Sequence, residues 1–152
     1  MTTIIKSIEI NATRDTIRKY YAHPVNTPKW SHLLTVWEPE EAWPSAGATA
    51  KMGIKSGGLN VEGVATTLAY NEETMAHHFR HEPDNQIMAP SDTWFTFDEK
   101  DGKIMVTTKV EYTIPGSFLG KALDKLFVER QNSKDIEQQL VNLKVLAEED
   151  ST

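Results

Sequence analysis

FLGKALDKLFVERQNSKDIEQQLVNLKVLAE, residues 118–148, is the stretch whose reading decides the fold. It contains no proline and, after Gly120, no glycine. Leu119, Ala122, Leu126, Ile136, Leu140, Leu143 and Ala147 recur at spacings of three or four, or sums of these, along one helical stripe. At ~1.5 Å per residue the predicted helix is roughly 45 Å long. So long an amphipathic helix must bury its stripe against an extended surface of comparable size.

That surface lies upstream. The pattern is β-like over 35–41, 48–56, 59–70, 74–81, 91–98 and 103–113. Ser56-Gly57-Gly58 and Glu99-Lys100-Asp101-Gly102 are compact, glycine-bearing links, and Asn71-Glu72-Glu73 is a short polar one. Links this short predict an antiparallel meander. A further strand opens the chain over 3–11, where Ile4, Ile8 and Ile10 share a parity with Lys6. A short helix follows, from 13 or 14 to 22, with Thr13 as N-cap and Ile17, Tyr20 and Tyr21 on its apolar side. Pro24 and Pro28 then break the chain, and 27–33 has room for a second helical turn. The predicted class is α+β, a curved seven-stranded antiparallel sheet wrapped around a long C-terminal helix, with two short helices after the first strand. A bent sheet and a straight helix do not pack flush, so a space is expected between them.

Composition narrows the functions such a space can serve. A chain of 152 residues fits a single domain, 1–152, and 39% hydrophobic with 25% charged residues is ordinary for a globular protein. Sixteen Lys and Arg against 22 Asp and Glu leave a net charge of −6, which weighs against a nucleic-acid or anionic-membrane surface. The absence of cysteine excludes disulfides, thiolate nucleophiles and zinc–thiolate or iron–sulfur sites. Met1-Thr2-Thr3-Ile4-Ile5-Lys6 has no secretory-signal pattern, and no run approaches the ~20 apolar residues of a membrane span. A cytoplasmic location is the expectation. Residues 148–152 read as a polar tail.

Two segments carry a family resemblance. Ser7-Ile8-Glu9-Ile10-Asn11-Ala12, a short helix and His23-Pro24-Val25-Asn26-Thr27-Pro28-Lys29-Trp30 resemble the start of START-like (SRPBCC) proteins of the polyketide cyclase/dehydratase group. Ile114-Pro115-Gly116-Ser117-Phe118-Leu119-Gly120, with Asp135-Ile136-Glu137-Gln138-Gln139-Leu140-Val141-Asn142-Leu143-Lys144, is similar to that group's closing helix and its L-x-N-L-K tail. The resemblance implies a helix-grip fold, in which seven antiparallel strands grip the C-terminal helix around a deep hydrophobic cavity. Such proteins include lipid and sterol carriers, aromatic-ring cyclases and many members without a known reaction, so the motifs specify fold more than chemistry.

Within that frame, Trp30, Met52, Val61, Met75, Phe79, Met88, Trp94, Phe95, Phe97, Tyr112, Phe118, Leu126 and Ser133 are the candidate cavity wall, each alternatively plain core. Gly63 and Ala65 would supply small wall positions, or Gly63 a bend. In the strand read over 74–81, Met75, His77, Phe79 and His81 share one face, and His78 and Arg80 the other. His77 and His81 are candidate general acid/base or orienting groups, or else two histidines at the cavity mouth. They are a poor metal pair, because same-face residues four apart in a strand stand ~13 Å apart. Glu129, reached with Ser133 by stepping back along the helical stripe, is a third candidate acid or base, unless the helix rotates and turns it outward. Glu9, Lys109 and Glu111 read as an exposed charge pattern, Asp92 as a strand-end surface residue, and Ser31-His32 as a loop dipeptide. No metal ion and no cofactor is assigned.

Three functional readings follow. The first is binding of a hydrophobic small molecule, lipid or aromatic-polyketide-like, between sheet and helix, by a monomer or homodimer. The second is an aromatic polyketide cyclase or dehydratase working by positioning and His/carboxylate proton transfer. The third is a non-catalytic regulatory or partner-binding domain.

Overall fold

The computed structural model describes residues 1–85, 88–114 and 122–151. Its elements run β1 (Thr2–Ile10), α1 (Arg14–Tyr21), a 3-10 turn (Pro24–Asn26), α2 (Thr27–Trp30), β2 (Leu34–Pro39), β3 (Thr49–Ser56), β4 (Leu59–Tyr70), β5 (His77–Pro83), β6 (Ser91–Lys100), β7 (Lys103–Tyr112) and α3 (Ala122–Asp150). The described residues form one seven-stranded sheet in the order β1-β7-β6-β5-β4-β3-β2, antiparallel at every pairing. The strands β2 to β7 are a simple meander, and β1 adds to its free edge beside β7. This is the helix-grip arrangement, with the curved sheet around α3.

Local signals behave as the residue types dictate. The Thr13 side chain accepts from the Thr16 backbone N–H and caps α1, whose Ile17, Tyr20 and Tyr21 are buried. Tight links join β3 to β4 at Gly57-Gly58 and β6 to β7 at Asp101-Gly102, all four residues at positive φ. Gly63 marks a close approach rather than a cavity wall, since a Cβ there would stand 2.0 Å from the Glu82 carbonyl oxygen.

The strand read over 74–81 begins later, at His77. Asn71 is the reason. Its Oδ1 accepts from the N–H groups of Glu73 and Thr74, its backbone carbonyl accepts from Met75, and its backbone N–H donates to Ala76. This turn places Met75 at φ 65° and drops its side chain, fully buried, into the core.

That core closes one end of the molecule. The side chains of Ile10, Ile17, Tyr21, Trp30, Met75, Phe95, Phe97, Ile104 and Val106 pack there against Leu140, Leu143 and Ala147 of α3. The helix continues into the predicted tail as far as Asp150 and is pinned there. Glu148 accepts from the Asn11 N–H at 2.8 Å, and Lys19 reaches Asp150 at 3.1 Å.

Farther toward its N-terminus the phase of α3 differs from the predicted stripe. Among the described side chains its buried positions are Val128, Asn132, Ile136, Leu140, Leu143 and Ala147. Stepping back from Ile136 by fours reaches Asn132 and Val128, not Ser133 and Glu129. A polar Asn on the buried line conceals this phase in the sequence. Leu126 and Phe127 are exposed as a result.

Candidate functional site

Where the N-terminal half of α3 passes over the sheet, the packing opens into a cavity of about 200 Å³. The register gives its axis. His77 pairs with Phe95 and Phe95 with Thr108 at the closed end, whereas His81 pairs with Ser91 four residues nearer the other end. Four residues of strand span ~13 Å. Tyr21, Trp30, His77, Phe95 and Thr108 form the buried end, and the partly exposed Ser56, Leu59, Pro83, Met88 and Tyr112 ring the other. Ile136, Asn132 and Gln139 of α3 roof the space.

The walls are mostly hydrocarbon and aromatic, and the polar groups among them are largely paired with protein. Trp30 Nε1–H donates to the Tyr20 carbonyl at 2.9 Å and Trp37 Nε1–H to that of Pro24 at 2.8 Å, which leaves their rings as apolar wall. Trp43 stands edge-on to Trp37, His77 and Phe79, with centroids 5.4–5.7 Å apart. Asn132 Nδ2 donates to the Tyr112 hydroxyl at 2.9 Å, and its Oδ1 accepts from Ser56 at 2.7 Å. One amide therefore ties α3 to β7 and to the β3–β4 hairpin. Two turns farther along the same face of α3, Gln139 accepts from the Ser31 hydroxyl.

The two cavity histidines differ in what they have left to offer. His77 Nδ1 lies 2.7 Å from the Tyr21 hydroxyl and Nε2 lies 2.8 Å from that of Thr67, so both ring nitrogens are engaged. Burial, reinforced by neighbouring His78, pushes its pKa down to about 3, and the ring is neutral. His81 Nε2 lies 2.7 Å from the Met52 carbonyl oxygen. A carbonyl only accepts, so that nitrogen carries the proton and Nδ1 keeps its lone pair. Burial also lowers the His81 pKa, opposed by the Met52 bond and by Asp84. Burial raises that of Tyr112.

A model of the family described as polyketide cyclase/dehydrase and lipid transport matches residues 1–148. The chain belongs to that family. No curated protein sequence matches it significantly. Solved structures similar to this polyketide cyclase/dehydrase family member share its fold at low identity. A protein of Thermus thermophilus matches with a TM-score of 0.78 and 14% identity, over 99% of this chain and all of that one. The Zhui aromatase/cyclase from a Streptomyces strain gives 0.76 and 11%, over 99% and 96%. The di-domain ARO/CYC StfQ of the steffimycin pathway gives 0.76 and 15%, over 97% of this chain and 51% of that chain.

In this polyketide cyclase/dehydrase family chain, the tertiary structure divides the residues singled out from sequence. His77, His81, Trp30, Met52, Val61, Phe79, Met88, Phe95 and Tyr112 line the cavity. Phe118 lies outside the described residues. Met75 and Phe97 do not reach the cavity, because both are packed in the closed-end core. Trp94 lies on the outer face of the sheet, stacked on His78 at 4.3 Å with Lys109 over its ring, because its parity is opposite to that of Phe95. Leu126 is exposed, and Ser133 and Glu129 lie outside the lining, because the buried line of α3 runs through Val128 and Asn132 instead. Glu129 turns to the β1 side, where it accepts from the Thr2 hydroxyl at 2.8 Å and pairs with Lys125 at 3.9 Å. Its carboxylate is therefore not part of the cavity lining. Ala65 packs behind the wall with Trp43 and Met52.

The reading of the sequence missed Tyr21, Thr67, Thr108, Asn132 and Gln139. Hydroxyl and amide residues give no periodic signal, and only the partners across the fold reveal what they do. No helix of the described residues is long and apolar enough to cross a membrane, and no three potential metal ligands among them cluster.

Proposed function

We propose that this protein binds a hydrophobic small molecule, a lipid or a compact aromatic polyketide-like compound, in the cavity between the sheet and α3. The observation that carries this reading is a chamber at the domain's centre walled by Trp30, Trp37, Phe79, Phe95 and Met52, whose polar neighbours are mostly paired among themselves. A wall of this kind gains affinity by removing apolar ligand surface from water, at roughly 25 cal/mol per Å². The family description, which names lipid transport beside cyclisation, supports the same reading. Protein purified under mild conditions, then denatured and extracted, should release a hydrophobic compound detectable by mass spectrometry. Refilling the emptied protein with 1-anilinonaphthalene-8-sulfonate should enhance the dye's fluorescence. Protein that releases nothing and does not bind the dye would count against the proposal.

One observation favours a second reading, aromatic cyclase or dehydratase activity. His81 points one nitrogen at Met52 and retains a lone pair on Nδ1, whereas His77 has neither nitrogen to spare and Glu129 is elsewhere. In this reading Nδ1 takes a proton from a methylene between two carbonyls. The resulting enolate carbon forms a bond to a third, more distant carbonyl of the same chain, whose C=O π bond opens to an alkoxide, and the imidazolium returns the proton to that alkoxide. The His81→Gln variant should then lose turnover of a poly-ketone while remaining folded and able to bind the dye. Unchanged turnover would remove this reading and leave the first in place.

A further inference from the structure

Among the described residues, one buried side-chain polar atom has no hydrogen-bond partner in the chain, the hydroxyl of Thr108. Thr108 is 2% exposed and lines the cavity at its closed end, level with Phe95 and His77 across the sheet. A hydroxyl shut away from water with no partner is destabilising, and native chains pair the great majority of such groups. The neighbouring polar groups are already engaged. The His77 nitrogens go to Tyr21 and Thr67, and the Asn132 amide, toward the open end, goes to Tyr112 and Ser56.

We propose that Thr108 is a specificity-determining residue, its hydroxyl pairing with an oxygen function, hydroxyl or keto, at the leading end of the occupant. The inference rests on the cavity being the binding site and adds what sort of molecule fills it. An unbranched hydrocarbon tail inserted to the same depth leaves the Thr108 hydroxyl unpaired. A ring compound with oxygen at its inner edge satisfies it. The hydroxyl has no partner within the chain, so an occupant that carries the oxygen gains a hydrogen bond there and one that lacks it gains none.

A two-by-two comparison tests this. The fluorescence of 2-naphthol and its near-isostere 2-methylnaphthalene is titrated with wild type and with Thr108→Val, which keeps the shape of the side chain and removes its hydroxyl. Thr108→Val should weaken 2-naphthol binding about three- to tenfold and leave 2-methylnaphthalene unchanged, the size expected of one net hydrogen bond. Thr108→Ser, which retains the hydroxyl, should keep the preference of wild type. Removing an unpaired buried hydroxyl should not lower the urea midpoint, so the Val variant stays folded for the comparison. Equal changes for both probes, or none for either, would overturn the assignment while leaving the cavity as a binding site. Failure of both probes to bind wild type would instead overturn the cavity reading, and this inference with it.

Discussion

The Nε2 of His81 stands 2.7 Å from the carbonyl oxygen of Met52, one strand beyond its immediate neighbour in the sheet. That contact decides the chemistry of the ring. The protonated nitrogen is tied to backbone, and the basic one stays unprotonated on a side chain that lines the cavity. Long-range 1H–15N correlation spectra at neutral pH should therefore show His81 as the neutral Nε2–H tautomer. A dominant Nδ1–H signal would contradict this assignment and remove the basis for His81 as a base.

The buried, neutral His77 makes stability depend on pH. Its folded pKa of about 3 lies below the ordinary 6.5, so the unfolded chain binds the extra proton first. The contribution is complete above about pH 6.5 and is lost as pH falls from there toward 3. At about 1.4 kcal/mol per pH unit, His77 alone should lower the unfolding free energy by about 2 kcal/mol between pH 7 and pH 5. Lowered by burial as well, His81 adds in the same direction. Urea melts at the two pH values measure the difference, and His77→Gln should flatten it. A wild-type curve that is level over this window would show that the ring is open to water.

The phase of α3 separates residues that look alike in sequence. Leu126 is 46% exposed and Leu143 fully buried, although both belong to the predicted apolar stripe. Leu126→Lys should change stability by no more than about 0.5 kcal/mol. Leu143→Ala should cost about 2–5 kcal/mol, the range for emptying a packed leucine site. Chemical denaturation of the two variants reads the phase directly, and similar costs for both would mean that the helix is rotated to bury Leu126 as well.

Two glycines should respond in opposite ways to the same added methyl group. At Gly63 a Cβ meets the Glu82 carbonyl oxygen at 2.0 Å, backbone that cannot step aside without separating β4 from β5. At Gly58 nothing lies within 4 Å, and only the positive φ of 81° opposes a side chain. The Gly58→Ala change should cost about 1 kcal/mol, whereas Gly63→Ala should cost about 3 kcal/mol or prevent folding. Thermal melts of the two variants test the ranking, and the reverse order would place the close approach elsewhere.

The sequence by itself determined the architecture. Alternation and glycine-bearing turns specified a meander, and the run from Ile136 through Ala147 specified a helix long enough to need that sheet, because both signals are local and repeat. It also marked the right strand for the cavity histidines, since parity within 77–81 places His77 and His81 on one face. What only the tertiary structure decided was which groups meet. An Asx-type turn at Asn71 removed Met75 from the strand. The helix entered the buried line through Asn132, a residue whose polarity reads as exposed until Tyr112 and Ser56 are seen to satisfy it. Tyr21 and Thr67 consumed both nitrogens of His77 from 56 and 10 residues away, while Met52 left His81 one nitrogen. Thr108 is the clearest case, since a threonine in a strand means nothing until every neighbour is known and none of them pairs with it. Burial follows from periodicity along the chain, but hydrogen-bond partnership is a relation between distant residues, and the fold alone brings them together.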